Sequence, residues 1–163
     1  MKVFGVAGWK NTGKTGLTER LVTEITGRGF TVSTIKHAHH LVDVDQPGTD
    51  SHRHRTAGAQ EVLLASATRY AVMHELRGAP EPPLDALLER LSPVDLVLVE
   101  GYKGARHPKI ETYRKETAQD LLAGTEPTIR AVASDCPLDV AVPVFDLDDT
   151  VAIADFVLRE CGL

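Results

Sequence analysis

Apolar residues along this chain recur alternately at strand and at helix spacing. Residues 3–7 form a short apolar run that ends at glycine, as a buried strand does. Over residues 14–26, Leu17, Leu21, Val22 and Ile25 share one helical face, and Gly27 and Gly29 supply the stop. The β-branched run 31–36 reads as a second strand. Residues 37–49 lack periodicity, contain Pro47-Gly48 and read as a loop. Asp50 is placed to cap a short helix that ends at Gly58. Residues 61–65 and 68–74 read as paired strands separated by two small residues. Leu84, Leu87, Leu88 and Leu91 form a helical stripe just after Pro83. The most apolar strand covers 94–99, a weakly alternating edge strand 109–113, a further strand 128–133 and a closing helix 149–160. Strands alternating with helices predict a three-layer α/β sandwich built on a mainly parallel sheet.

Composition narrows this picture. A chain of 163 residues fits one domain over residues 1–163 more easily than two. Such a chain buries about 68–70% of its unfolded surface and needs no staples. Eighteen basic against 23 acidic residues give a formal charge of −5, which argues against a nucleic-acid partner. Cys136 and Cys161 make no secreted disulfide framework and read as free thiols of a reducing cytoplasm. The N-terminal apolar run is too short for a signal peptide or a membrane span.

The segment Gly8-Trp9-Lys10-Asn11-Thr12-Gly13-Lys14-Thr15 matches G-x-x-x-x-G-K-[ST] in full, between a predicted strand and a predicted helix. That context makes the sandwich a P-loop NTPase fold. Glycines let backbone N–H groups approach phosphates, and the helix N-terminus adds its positive end. Lys14 is expected to neutralise the β- and γ-phosphates, and the Thr15 hydroxyl to ligate Mg²⁺. The second acidic position of such sites follows an apolar strand. Leu96-Val97-Leu98-Val99-Glu100-Gly101 supplies one, and Glu100 is expected to hold Mg²⁺ or its water. Asp43, Asp45 and Asp50 are further carboxylates in the loop after the second strand. Each reads as solvated or as a metal contact, and the sequence does not choose among them.

Residues 36–40 and 52–55 concentrate five of the seven histidines. Their spacing fits no standard zinc pattern, so a metal role is the weakest of three readings, beside a solvated charged face and a surface that meets phosphate through arginine forks. There is no Asn-Lys-x-Asp run of the kind that reads guanine. Asp135 ends a late strand, where it either accepts from guanine N1–H and N2–H or caps a turn before Pro137.

Taken together, residues 9–15, 36–40, 50–59 and 99–103 resemble the MobB family, the molybdopterin-guanine dinucleotide biosynthesis proteins B. Pro108-Lys109-Ile110-Glu111 is similar to that family's segment after the Glu-Gly strand end, and Ser134-Asp135 is a weaker match. The phosphate loop is shared with many families. The His-rich segment and the one from Asp50 to Ala59 are more specific. The resemblance implies a cytoplasmic, weakly active GTPase that needs Mg²⁺, forms a homodimer and assists attachment of GMP to the molybdopterin cofactor. The MobA nucleotidyltransferase and the MoeA metal-insertion protein are the partners it implies. Direct contact with molybdopterin stays open. By position, Lys14 and Glu100 carry over as the catalytic pair and Thr15 and Glu100 as the metal ligands. Gly8, Asn11, Thr12, Gly13, Lys14, Thr15 and Gly16 carry over as the nucleotide cradle, with Asp135 as the guanine contact. Gly16 stands where such loops often place a second hydroxyl residue.

The alternative from a different class is a small-molecule P-loop kinase, in which Glu100 or a loop aspartate acts on a substrate hydroxyl. Such kinases usually carry an arginine-bearing lid, and Arg106 and Arg114 are weak candidates for it. No water-positioning glutamine is evident after the phosphate loop, which fits slow hydrolysis.

Overall fold

The structure, a computed structural model, describes residues 1–38 and 43–163. The chain falls into two compact units, one formed by residues 1–37 and 88–163, the other by residues 38–87.

The first unit is built on a six-stranded sheet. Its strands are β1 (Lys2–Ala7), β2 (Val32–Lys36), β5 (Leu96–Glu100), β6 (Lys109–Tyr113), β7 (Ile129–Ser134) and β8 (Val144–Asp146), in the spatial order β2-β5-β1-β6-β7-β8. Every neighbouring pair runs parallel. All strand C-termini therefore lie along one edge, where open α/β sheets bind their ligands. Helix α1 (Lys14–Gly27) and helix α4 (Thr150–Cys161) pack together against one face. Leu17, Leu21 and Ile25 of α1 and Ile153, Phe156 and Val157 of α4 close over Phe4, Val6, Leu96, Leu98, Ile110 and Ala133. Asp149 caps α4 by accepting from the Ala152 N–H. Short 3-10 turns at Lys115–Thr117 and Leu122–Gly124 precede β7.

The opposite face buries charge. Lys109 and Glu111 of β6 are both fully buried. The Lys109 ammonium donates to the Ala105 carbonyl, to the His107 carbonyl at 2.9 Å and to Thr128 Oγ1 at 2.7 Å. The Glu111 carboxylate accepts from the Leu122 N–H at 2.8 Å and the Ala123 N–H at 2.9 Å. Buried charges persist only when satisfied in this way. The expected edge strand at 109–113 is thus an interior strand between β1 and β7. Its weak alternation came from a lysine and a glutamate that face inward onto loop backbone instead of outward onto water.

The second unit holds α2 (Asp50–Thr56) and an antiparallel hairpin of β3 (Glu61–Ala65) and β4 (Tyr70–His74). Its helix is capped by Thr49, whose side chain accepts from the His52 N–H, and not by Asp50. Thr49 has the extended backbone of an N-cap after the Pro47-Gly48 turn, and the helix starts one residue earlier than a cap at Asp50 requires. Pairing Leu63 with Val72 and Ala65 with Tyr70 gathers an apolar face, and Leu63, Val72 and Tyr70 are 63%, 52% and 67% exposed. The stripe expected through Leu91 forms a shorter helix, α3 (Leu84–Leu88), that buries none of its residues.

Candidate functional site

Helix α1 begins where β1 ends, and the eight-residue motif is the turn between them. That turn demands special backbone. Gly8 has φ 140° and Gly13 φ 99°, and Asn11 takes the left-handed region at φ 66°, which asparagine tolerates. At Gly8 the constraint is also steric, because a Cβ there would lie 2.6 Å from the Thr112 carbonyl oxygen. Thr12 is fully buried. Its hydroxyl lies 2.8 Å from Thr112 Oγ1 and donates to the Trp9 carbonyl at 2.9 Å, pinning the turn to β6. Thr12 can therefore offer a ligand its backbone but not its side chain. Gly13 caps α1 without any side-chain hydrogen bond, so the first-turn N–H groups face the open end of the turn. An uncapped N-terminus with its dipole is an anion site.

Around this turn the side chains converge. Lys14 Nζ folds back onto the Trp9 carbonyl at 2.5 Å, and Thr15 Oγ1 donates to Glu100 Oε1 at 2.9 Å. The register of the sheet makes the second contact. Glu100 lies beside Val6 on one side and Lys36 on the other, at the C-terminal edge next to the phosphate loop. Lys36 Nζ reaches Glu100 Oε1 and Thr15 Oγ1, both at 3.2 Å. Lys103 Nζ stands 3.5 Å over the Trp9 ring, whose Nε1 donates to the Asp120 carbonyl at 2.8 Å. Burial lowers the Lys14 ammonium below the ordinary lysine value; Glu100 pulls the other way, and Lys103 and Lys36 add to the lowering. The Arg114 guanidinium packs beside Gly13, 3.5 Å from where a Cβ would stand, and makes no ion pair or side-chain hydrogen bond among the described residues. The chain is acidic as a whole, yet this mouth is locally basic.

Not every expected residue joins the cluster equally. Gly16 leaves open space, with Arg20 Nη1 3.6 Å from its Cβ position as the nearest atom. Asp135 is exposed just beyond the C-terminus of β7, at the same sheet edge, and its Oδ1 accepts from the Lys115 N–H at 2.9 Å. Its other oxygen makes no hydrogen bond within the protein among the described residues. The three loop carboxylates have partners within the second unit. Asp43 takes both oxygens to Arg55 Nη2 at 2.8 Å, Asp45 accepts from Ser51 Oγ at 2.8 Å, and Asp50 lies 3.8 Å from Arg53. His39 and His40 lie outside the described residues. Among the described residues, no three His, Cys, Asp or Glu side chains gather as a metal cage, and no helix is long and apolar enough to cross a membrane.

Sequence reasoning missed Lys36 and Lys103 as members of the cluster, and named Arg114 only as a weak candidate for a lid arginine. Lys36 carried a signal, because it ends a strand just as Glu100 does. Arg114 directly follows the end of β6 in the same way, whereas Lys103 carried none, since it lies in the segment between β5 and β6.

Residues 3–135 match the family model described as molybdopterin guanine dinucleotide synthesis protein B. The chain is 40% identical over 162 residues to the molybdopterin-guanine dinucleotide biosynthesis adapter protein of Escherichia coli (strain K12), covering 96% of this chain and 91% of that protein. To the protein of the same description from Haemophilus influenzae it is 39% identical over 158 residues, covering 95% and 86%. The crystal structure of a MobB protein homolog from Bacillus stearothermophilus matches with a TM-score of 0.74 at 31% identity, covering 99% of each chain.

Proposed function

The chain belongs to the molybdopterin guanine dinucleotide synthesis protein B family, and from that premise we propose that it is a nucleotide-binding adapter of molybdopterin-guanine dinucleotide biosynthesis. In this reading GTP sits on residues 8–16 with Mg²⁺, and the protein assists the attachment of GMP to the molybdopterin cofactor in the cytoplasm. Its partners are a MobA-type nucleotidyltransferase and a MoeA-type metal-insertion protein. Lys14 leaves the Trp9 carbonyl to meet the phosphates, the open N–H groups of α1 receive their oxygens, and Asp135 accepts from the guanine edge through its unused oxygen.

One observation carries the reading. Thr15 and Glu100, 85 residues apart, bring a hydroxyl and a carboxylate within 2.9 Å at the mouth of an uncapped helix. Both donors are hard oxygens and suit Mg²⁺. A bound Mg²⁺ would supply charge neutralisation at the phosphate oxygens. Hydrolysis is slow in this proposal, because no side chain of the cluster is placed as a water-orienting glutamine. As a homodimer the protein needs a seam. β6 is interior, so the exposed apolar face of the β3–β4 hairpin is the better candidate, since a two-stranded hairpin is marginal alone.

Isothermal titration with GTP and with ATP, each with Mg²⁺, tests the proposal. A preference for GTP that disappears in Asp135→Ala is expected. Unchanged triphosphate affinity in Lys14→Ala would remove the phosphate-loop assignment altogether. Arg114 beside Gly13 is the observation that favours the small-molecule kinase as a second reading. Transfer of a labelled γ-phosphate to an acceptor, instead of slow release of inorganic phosphate, would establish that reading in place of the adapter.

A further inference from the structure

The oxygens assigned above to Mg²⁺ already have a cation. Lys36 ends β2 in register with Glu100 on β5, and its ammonium lies 3.2 Å from both Glu100 Oε1 and Thr15 Oγ1. The Lys36 side chain is 57% exposed while that of Glu100 is 11% exposed. A carboxylate so enclosed is costly without a counter-charge, and an exposed lysine on an edge strand can swing away at little cost. We infer that Lys36 is a tethered placeholder for the divalent cation, so that the nucleotide-free protein holds metal weakly and metal enters only with the triphosphate.

The physics is competition between like charges. A divalent ion that takes Thr15 Oγ1 and Glu100 Oε1 meets an ammonium within contact distance of both oxygens, and the two repel unless one leaves. Among the described residues Lys36 makes its ion pair with Glu100, and Lys14 beside them feels both Lys36 and Lys103 as like charges. A bound triphosphate supplies another negative partner. Phosphate oxygens give the displaced ammonium a new acceptor and give the metal further ligands. The arrangement ties the two binding events together without any change of fold.

The inference rests on Thr15 and Glu100 being the metal pair, and the test separates the two claims. Mn²⁺ is titrated into the purified full chain without nucleotide, and free Mn²⁺ is read by electron paramagnetic resonance. Lys36→Gln should bind Mn²⁺ roughly tenfold tighter than the unmodified protein, since a divalent ion feels twice the repulsion that a single charge does. Lys36→Arg should keep the weak affinity, which distinguishes charge from lost packing. The gain should vanish when Glu100→Gln is added to Lys36→Gln. Equal or weaker Mn²⁺ binding in Lys36→Gln overturns the inference, as does a gain that survives loss of Glu100. The metal pair itself is tested by Trp9 fluorescence during GTP titration with and without Mn²⁺. Should Glu100→Gln leave the metal dependence of GTP binding intact, the metal pair and the inference fall together. Should Glu100→Gln abolish it while Lys36→Gln leaves Mn²⁺ affinity unchanged, the inference alone fails.

Discussion

Acid should weaken the first unit through one histidine, and His107→Gln should remove that weakness. His107 packs against the backbone of β1, its Nε2 only 2.6 Å from where a Cβ on Gly5 would stand. That nitrogen is buried and has no hydrogen-bond partner. Burial first, and the neighbouring Lys109 ammonium second, push its pKa down from 6.5 to about 4. In the unfolded chain the imidazole titrates near its ordinary value. As pH falls through 6.5, the unfolded state therefore gains a proton that the folded state refuses until about pH 4, and stability drains across that window. Above the window the contribution is fully present, and below it no further loss occurs. The whole gap amounts to on the order of 3 kcal/mol, of which about 2 kcal/mol falls between pH 7 and pH 5.

Urea unfolding followed by fluorescence suits the measurement, because Trp9, the single tryptophan, lies in the same unit as His107. The quantity that matters is a difference between the two proteins, in which contributions common to both cancel. On passing from pH 7 to pH 5 the unmodified protein should lose about 2 kcal/mol more than His107→Gln. Parallel stability curves for the two would refute the reasoning. They would mean that water reaches Nε2 or that the ring moves to a partner on protonation.

Three further outcomes follow from the same geometry. Gly8→Ala combines φ 140° with a Cβ 2.6 Å from the Thr112 carbonyl; chemical denaturation should show a loss of about 2 kcal/mol or more. Arg114→Ala breaks no ion pair or side-chain hydrogen bond among the described residues, so stability should hold while titration calorimetry shows GTP affinity falling by about fivefold to tenfold. Leu63→Lys together with Val72→Lys places like charges opposite one another on the exposed hairpin face; on the proposed seam, sedimentation should show a dimer for the unmodified protein and a monomer for the variant, and a dimer in both would move the seam elsewhere.

Much of the fold was legible because its signals are local. The run from β1 through the motif to α1 spends each residue on one job: apolar strand, glycine turn, amphipathic helix. β5 was readable as the chain's most apolar strand, and its closing carboxylate stood out against four apolar residues. β8 was not readable, because three residues carry no period, and its place in the sheet comes from backbone pairing with β7. β6 was found but put in the wrong place. Lys109 and Glu111 look solvent-facing until the carbonyls of residues 105 and 107 and the amides of 122 and 123 are brought to them. No pattern within five residues can state that a lysine has its acceptors in a loop.

The candidate site divides along the same line. Its proposed phosphate cradle is contiguous, so the motif names its residues one by one. Its charge balance depends on which strands become neighbours. Glu100 and Lys36 are 64 residues apart in sequence, and each taken alone is an ordinary charged strand end. Parallel pairing of β2 with β5 sets them side by side, and pairing of β5 with β1 sets both next to Thr15. A parallel sheet has one C-terminal edge, so strand-end charges that would be scattered in an antiparallel sheet are collected there. When such ends carry opposite charges, the sheet itself builds an ion pair at the place where a ligand must bind. That ligand then has to exchange partners with the protein instead of entering a vacant pocket, which is why the Lys36–Glu100 pair, and not the glycine-rich turn alone, should set the order in which metal and nucleotide arrive.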